Sequence, residues 1–483
     1  MNGNSTLKVI VESSPRGVAA HVGLHALGAF GDRLGFGDGL SARIPVTGDR
    51  RWMHDRGKVL TQTMLMLAGG GEACADIEHL RSQSDLFGSV PSDSTVYRTF
   101  RAITPDIHAG LWEAAAEARC QVWRRSSATT GKATVVLDID ASLHEIHSEN
   151  KEGTGPTYKG GFGFHPMYCF ADATGEVLGV RLRPGNAGAN SITDHVAVLD
   201  QAITQLPAEI AAGHHPGDDP SRVRRGVQVR ADSAGCTNFV WHCRNRNIGF
   251  AVAARSNADV HAAISRVRFQ KKYWKPAVRQ DGELRPGAAV AELTDLVNLD
   301  GWPEGTRLIV RREPLHPGAQ QTLFPALDYR YWGHYTDATG DPVTLDKHMR
   351  AHAHVEDNIK RLKESGANRF PFTDLNANTA WLAVVCFADA LVRWFQQLCL
   401  TGSLARAEPK TLRWHLWHTP ARIVHTARRC ITKSTTPGQP PQPSSTPINT
   451  STSSAEHPAE PLPNEHAHRT RPETLAGQPP RRK

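Results

Sequence analysis

Apolar positions along this chain change period twice, and those changes divide it. Up to about residue 130 they recur at helical spacing. LTQTMLMLAGG sets Leu60, Met64, Leu65 and Leu67 on one stripe, and Gly69, Gly70 and Gly71 end it. EACADIEHLRSQ, DSTVYRTFRAI and DIHAGLWEAAAEARCQVWRR read as further helices, with Ser92 as an N-cap. Between about 133 and 253, short runs rich in β-branched residues take over. ATVVLDID, FHPMYCFAD and EVLGVRLR are strands, the last two joined by the turn ATG. Ser191 caps the helix ITDHVAVLDQAITQL, whose stripe is Val196, Leu199, Ile203 and Leu206. The strand VQVRAD, the helix CTNFVWHCRNRN and the strand IGFAVAA follow.

Three strands, helix, strand, helix, strand gives a meander first and two strands attached through helical crossovers. That is the layout of the ribonuclease-H-like α/β fold, a mixed five-stranded sheet with flanking helices. In that layout the end of the first strand lies beside the end of the fourth. From about 256 to 348, AAVAELTDL, TRLIVRREPL and YRYWGHYTD read as a β-rich insertion. The run TAWLAVVCFADALVRWF is broken by Asp389 and Arg393 and reads as a buried helix. The expected organisation is a helical DNA-binding or dimerisation region over 1–130 and the core over 131–255. The insertion follows over 256–348, and C-terminal helices of the core over 349–431. The Pro-, Ser- and Thr-rich tail over 432–483 is expected to be disordered.

Composition narrows the partners. The chain has 483 residues, enough for two or three domains, and its formal net charge is +8. A basic balance favours polyanions such as nucleic acid. No export segment and no run of about 18 apolar residues is apparent, so a cytoplasmic protein without a membrane partner is expected. The eight cysteines include no CxxC pair and read as reduced thiols. Cys236, His242 and Cys243 have the wrong spacing for a zinc knuckle.

Three carboxylates carry the chemistry. Asp140 and Asp232 each close a strand, and Glu356 opens the charged helix of HVEDNIKRLKE. Carboxylates gathered at strand ends hold divalent ions against phosphate. Two magnesium ions, for which manganese can substitute, activate an attacking oxygen and stabilise a leaving one. Strand alternation puts Asp138 on the same face as Asp140, which makes Asp138 the alternative ligand. Val355, Ile359 and Leu362 form the buried side of the charged helix, with Glu356 at its border. A solvated face with Glu356–Lys360 pairing is the competing explanation. His352 is read as a phosphate or DNA contact, and Lys360, Arg361 and Lys363 as holders of backbone phosphate. If the N-terminal helices form a helix-turn-helix, Arg98 and Arg101 face phosphate.

Taken together, AGGGEACADIEHLR, PSDSTVYRTF, LDIDASL, YKGGFGFHPM, RPGNAGANS, VRADSAG and HVEDNIKRLKESG resemble bacterial insertion-sequence transposases of the DDE type. The likeness is to the insertion sequence thirteen-eighty group. It implies a ribonuclease-H-like catalytic domain with a β insertion, and metal-binding roles for Asp140, Asp232 and Glu356. It also implies action on double-stranded DNA, at the element's terminal inverted repeats and a target, by a homodimer in the DNA complex. Related enzymes carry a Tyr, an Arg and a Lys around the glutamate. The same offsets here give Met349, His352 and Lys363, so only the lysine matches. They also stack a flipped base on an insertion-domain tryptophan, for which Trp302 and Trp332 are the candidates. Two other readings remain: an inactive, transposase-derived DNA-binding protein, and an unrelated hydrolase using the 24 histidines, for which no HExxH spacing exists.

Overall fold

The computed structural model describes residues 18–45, 54–188, 190–232, 237–255, 257–315, 329–426 and 429–434. The tail beyond 434 and Cys236 lie outside them. Five main helices occupy the region predicted helical: α1 Val22–Arg33, α2 Phe36–Ala42, α3 Arg56–Ala68, α4 Asp93–Arg101 and α5 Pro105–Trp123. Their starts follow local chemistry. The Asp55 carboxylate accepts from Lys58 N at α3, and Thr104 caps α5 ahead of Pro105. Ser92 stands at the N-cap of α4, but its hydroxyl bonds the Ser94 and Thr95 side chains instead of the helix backbone.

The sheet follows: β1 Thr134–Ala141, β2 Met167–Ala171, β3 Val177–Arg181, then helix α6 Ile192–Thr204, capped by Ser191. Strand β4 Gly226–Ala231, helix α7 Thr237–Arg244 and strand β5 Ile248–Ala253 complete the predicted order. β1 pairs antiparallel with β2, and β2 with β3. β4 runs parallel to both β1 and β5. The register Asp138↔Arg230 and Ile139↔Ala231, carried one residue further, brings Asp140 beside Asp232.

The sheet is larger than the expected five strands. Helix α8 Ala258–Val267 comes next, capped by Asn257, then β6 Lys275–Val278, β7 Leu284–Glu292, β8 Arg307–Pro314 and β9 Tyr329–Thr336. β9 pairs with β5 through His334↔Ala253, Tyr335↔Val252 and Thr336↔Ala251. The insertion therefore extends the same sheet, which has nine strands in the order β6-β7-β8-β9-β5-β4-β1-β2-β3. It begins with helix α8. Three helices follow: α9 Pro342–Arg350, α10 His354–Leu362 and α11 Leu375–Cys399. Strands Ala421–Thr426 and Arg429–Ser434 pair antiparallel, and the first pairs with Val18–Ala19, where helices were expected up to 431 and a disordered tail from 432.

Alternation along the strands builds two cores. Leu137, Ile139, Val229 and Phe250 pack against α6, α7 and α8. The opposite face contributes Tyr168, Phe170 and Val180 to a core around α11, joined by α1 to α5 and by Val355, Ile359 and Leu362 of α10. Helix α11 is long and apolar enough to cross a membrane, but 83% of its most apolar window is buried inside the protein. Here it is the central core helix. The N-terminal helices thus share one core with α11 and are not a separately packed layer. Close approach matters at Gly179 in β3, where a Cβ would fall 2.4 Å from the Val198 carbonyl oxygen of α6. Gly179→Ala is expected to cost about 1–3 kcal/mol by forcing helix and sheet apart, read by urea unfolding. No loss would show that α6 yields freely.

Candidate active site

Asp140 and Asp232 extend from adjacent parallel strands, which lie about 4.8 Å apart. Glu356 sits in the first turn of α10, above the same sheet face. Asp140 is half-buried, whereas Asp232 and Glu356 are exposed. Burial, the Asp232 charge and, more weakly, Glu356 push the Asp140 carboxyl up to about 6, against a hydrogen bond from Ala141 N and the charge of His352. Asp140 therefore feels the charges of both Asp232 and Glu356. Among the described residues, no three His, Cys, Asp or Glu side chains are gathered closely enough to hold a metal ion as they stand. Magnesium does not need such a cage. It keeps several waters and is commonly held by one or two carboxylates plus substrate phosphate. Hard oxygen donors that repel one another at adjacent strand ends fit that ion.

Asp138 lies directly beneath, and its oxygens are engaged. Arg230 Nε donates to Oδ1 at 2.7 Å and NH2 to Oδ2 at 2.7 Å. His352 Nδ1 lies 2.8 Å from Oδ1. Burial alone would raise the Asp138 carboxyl, but hydrogen bonds from His352 and Arg230 hold it below the usual range. Asp138 is thus committed to Arg230 and His352, and Asp140 is the carboxylate left facing Asp232.

Three expected DNA contacts are otherwise engaged. His352 is 8% exposed and turned onto Asp138, not outward. Burial opposes its charged form, but Asp138, then Asp232 and Asp140, hold its pKa above the ordinary value. Arg361 is 7% exposed: Nε donates to Asp389 at 2.8 Å, NH2 to Gln396 Oε1 at 2.7 Å and NH1 to the Ala407 carbonyl at 3.1 Å. Trp302 stacks on Tyr335, ring centroids 4.2 Å apart, so its face already has a partner. For His352 and Arg361 a partner from a distant element takes the charge from solvent; Trp302 stays half-buried with one ring contact.

The other candidates remain accessible. Arg98, Arg101 and Lys360 are exposed. Lys363 Nζ donates to the Leu143 carbonyl at 2.9 Å, just past β1. Its pKa is lowered, chiefly by burial and then by Lys159. Trp332 is 59% exposed. It pairs with Arg311 two residues before His334, so alternation puts it on the sheet face that bears Asp140.

Sequence reading gave no role to Asp172, nor to Arg230 and the turn carrying Tyr158 and Lys159, although these lie within the quoted VRADSAG and YKGGFGFHPM. Arg230 was signalled by spacing: it precedes Asp232 by two, as Asp138 precedes Asp140. Asp172 accepts from Arg230 NH2 at 2.5 Å, a contact no local pattern announces. Tyr158 is 82% exposed, and Lys159 is near enough to act on Lys363.

The fold is α/β, a large mixed sheet with helices on both faces, and Asp140 and Asp232 lie at the ends of two adjacent central strands. The chain belongs to the transposase DDE domain group 1 family, whose model matches residues 2–436. By family it is a DDE transposase. Among solved structures it is similar to a piggyBac transposase synaptic complex with hairpin DNA, determined by cryo-EM. The identity is 12% and the TM-score 0.37, over 84% of this chain and 83% of that one. No curated protein matches the chain.

Proposed function

We propose that this transposase acts on the terminal inverted repeats of its own element, cleaving and rejoining strands at Asp140, Asp232 and Glu356. The observation that carries the reading is the parallel register that brings Asp140 beside Asp232 at two strand ends, with Glu356 in the first turn of the helix over the same sheet face; there the Asp140 carboxyl is raised to about 6. Two magnesium ions held there, or manganese in their place, would activate the attacking oxygen and stabilise the leaving one. The protein's own groups do the rest. Asp140 and Asp232 present oxygens from rigid adjacent strands, and Glu356 closes over them from α10. Lys363, fixed by Leu143, and the exposed Lys360 would hold backbone phosphate as point charges. Arg98 and Arg101 on α4 would meet duplex phosphate further out. Trp332 replaces Trp302 as the base-stacking residue, because its face is free. A homodimer bringing two element ends together, and membership of the insertion sequence thirteen-eighty group, complete the proposal on the motifs quoted above.

The test uses end-labelled inverted-repeat DNA with magnesium. Asp232→Asn is expected to bind the end and leave it uncut, a loss of about 10³-fold or more, because metal assistance is worth several kcal/mol. Cutting by Asp232→Asn at the wild-type rate would overturn the assignment.

A further inference from the structure

Beneath the carboxylates lies a second layer of charged groups that no part of the proposed reaction uses. Arg230 is 1% exposed and Asp138 2%. Arg230 grips Asp138 with two parallel hydrogen bonds and reaches Asp172 with NH2. Its NH1 donates at 2.8 Å to the carbonyl of His348, in α9. His352, four residues before Glu356, meets the same Asp138 oxygen that accepts from Arg230 Nε.

The spacing ties this layer to the one above. Asp138 and Arg230 are register partners on adjacent strands, each two residues before a site aspartate. Strand residues two apart share a face, and helix residues four apart share a side. Asp138 and Arg230 therefore share the sheet face of Asp140 and Asp232, one step back along the strands, and His352 lies in the turn that leads into α10. Fixing Asp138, Arg230 and His352 against one another fixes the side-by-side placement of Asp140, Asp232 and Glu356. The other polar ties of the α9–α10 segment run to the β6–β8 side of the sheet, through Asp346 to Arg311, and to Leu143 just past β1, through Lys363; the brace is what joins it to Asp138 and Arg230 within β1 and β4. Carboxylates that repel one another need such a constraint, because nothing among themselves draws them together.

We infer that Arg230, Asp138 and His352 form a buried brace that positions the three site carboxylates for divalent-ion binding. They are positioning residues, and the inference rests on the carboxylate reading of the site. His352 is short enough to reach down to Asp138 with one ring nitrogen.

The experiment titrates Mn²⁺ alone into full-length protein by calorimetry, beside a melting curve for each variant. His352→Leu and Arg230→Lys are expected to raise the Mn²⁺ dissociation constant by about 10–100-fold, as loss of groups that orient metal ligands does. Arg230→Lys keeps the charge but loses the two-point grip. His352→Asn places an amide N–H where Nδ1 stands and is expected to recover binding to within about threefold of wild type. A purely packing role would leave His352→Leu and His352→Asn equally weak, and that result would overturn the inference. Wild-type Mn²⁺ affinity in His352→Leu would do the same. Asp232→Asn is the control: if it binds Mn²⁺ as wild type does, the carboxylate site itself is wrong. If only the brace variants are unaffected, the site stands and the brace does not.

Discussion

Asp140→Asn is expected to yield a protein that is more stable than wild type above pH 6 and unable to cut DNA. The cause is the environment of one carboxyl. Burial and the Asp232 and Glu356 charges raise it to about 6 in the folded protein, from an ordinary value of 3.8. A raised carboxyl binds its proton more tightly in the folded state than in the unfolded one. Folding stability therefore falls as pH rises from about 4 to about 6, and stays low above that. Two pK units correspond to about 3 kcal/mol at most. Asparagine has no such charge to confine, so the variant should lack that pH-dependent loss. Urea unfolding of both proteins at pH 4.5 and pH 8, without metal, measures the difference. Magnesium should raise the wild-type melting temperature at pH 8 and leave the variant's nearly unchanged. Cutting should drop by about 10³-fold or more. Equal stability at pH 8 would show that Asp140 is not strained by its neighbours, and undiminished cutting would remove it from the chemistry.

Arg361→Leu should show the largest loss of stability. Arg361 and Arg393 flank Asp389, donating at 2.8 and 2.6 Å, and Asp389 is 3% exposed. Burial would push the Asp389 carboxyl up, but the charges of Arg393 and Arg361 hold it below the usual range. Removing Arg361 leaves that carboxylate short of one cation, strips Gln396 Oε1 of its Arg361 donor and leaves the Ala407 carbonyl with Gln396 Nε2 alone. Breaking a buried pair on one side costs about 3–5 kcal/mol. The melting temperature should fall by several degrees while the folded fraction binds element DNA as wild type does. An unchanged melting temperature with weakened DNA binding would return Arg361 to the surface role its sequence neighbourhood implies.

That contrast shows where local reading stops. Glu356, Lys360, Arg361 and Lys363 look alike in sequence, as charges on one helix. In the fold Glu356 and Lys360 are exposed, Lys363 is tied to Leu143, and Arg361 is buried. The sorting depends on which face of α10 meets α11. Its buried residues Val355, Ile359 and Leu362 were visible in the apolar pattern, but the polar partner waiting beneath Arg361 was not.

The amino-acid order alone determined what depends on neighbours along the chain. It placed the strands and helices between β1 and β5, the caps at Ser191, Asp140 at a strand's end, and Glu356 in a first turn. Apolar period, β-branched runs and capping chemistry act over a few residues, so they can be read there. Only the tertiary structure decided the pairing of β9 with β5, the nine-stranded sheet, and the partners of His352, Arg361 and Trp302. Those outcomes join groups far apart in sequence, 214 residues for His352 and Asp138. Each was selected because a charge or ring leaving water must find a partner wherever the packed elements supply one.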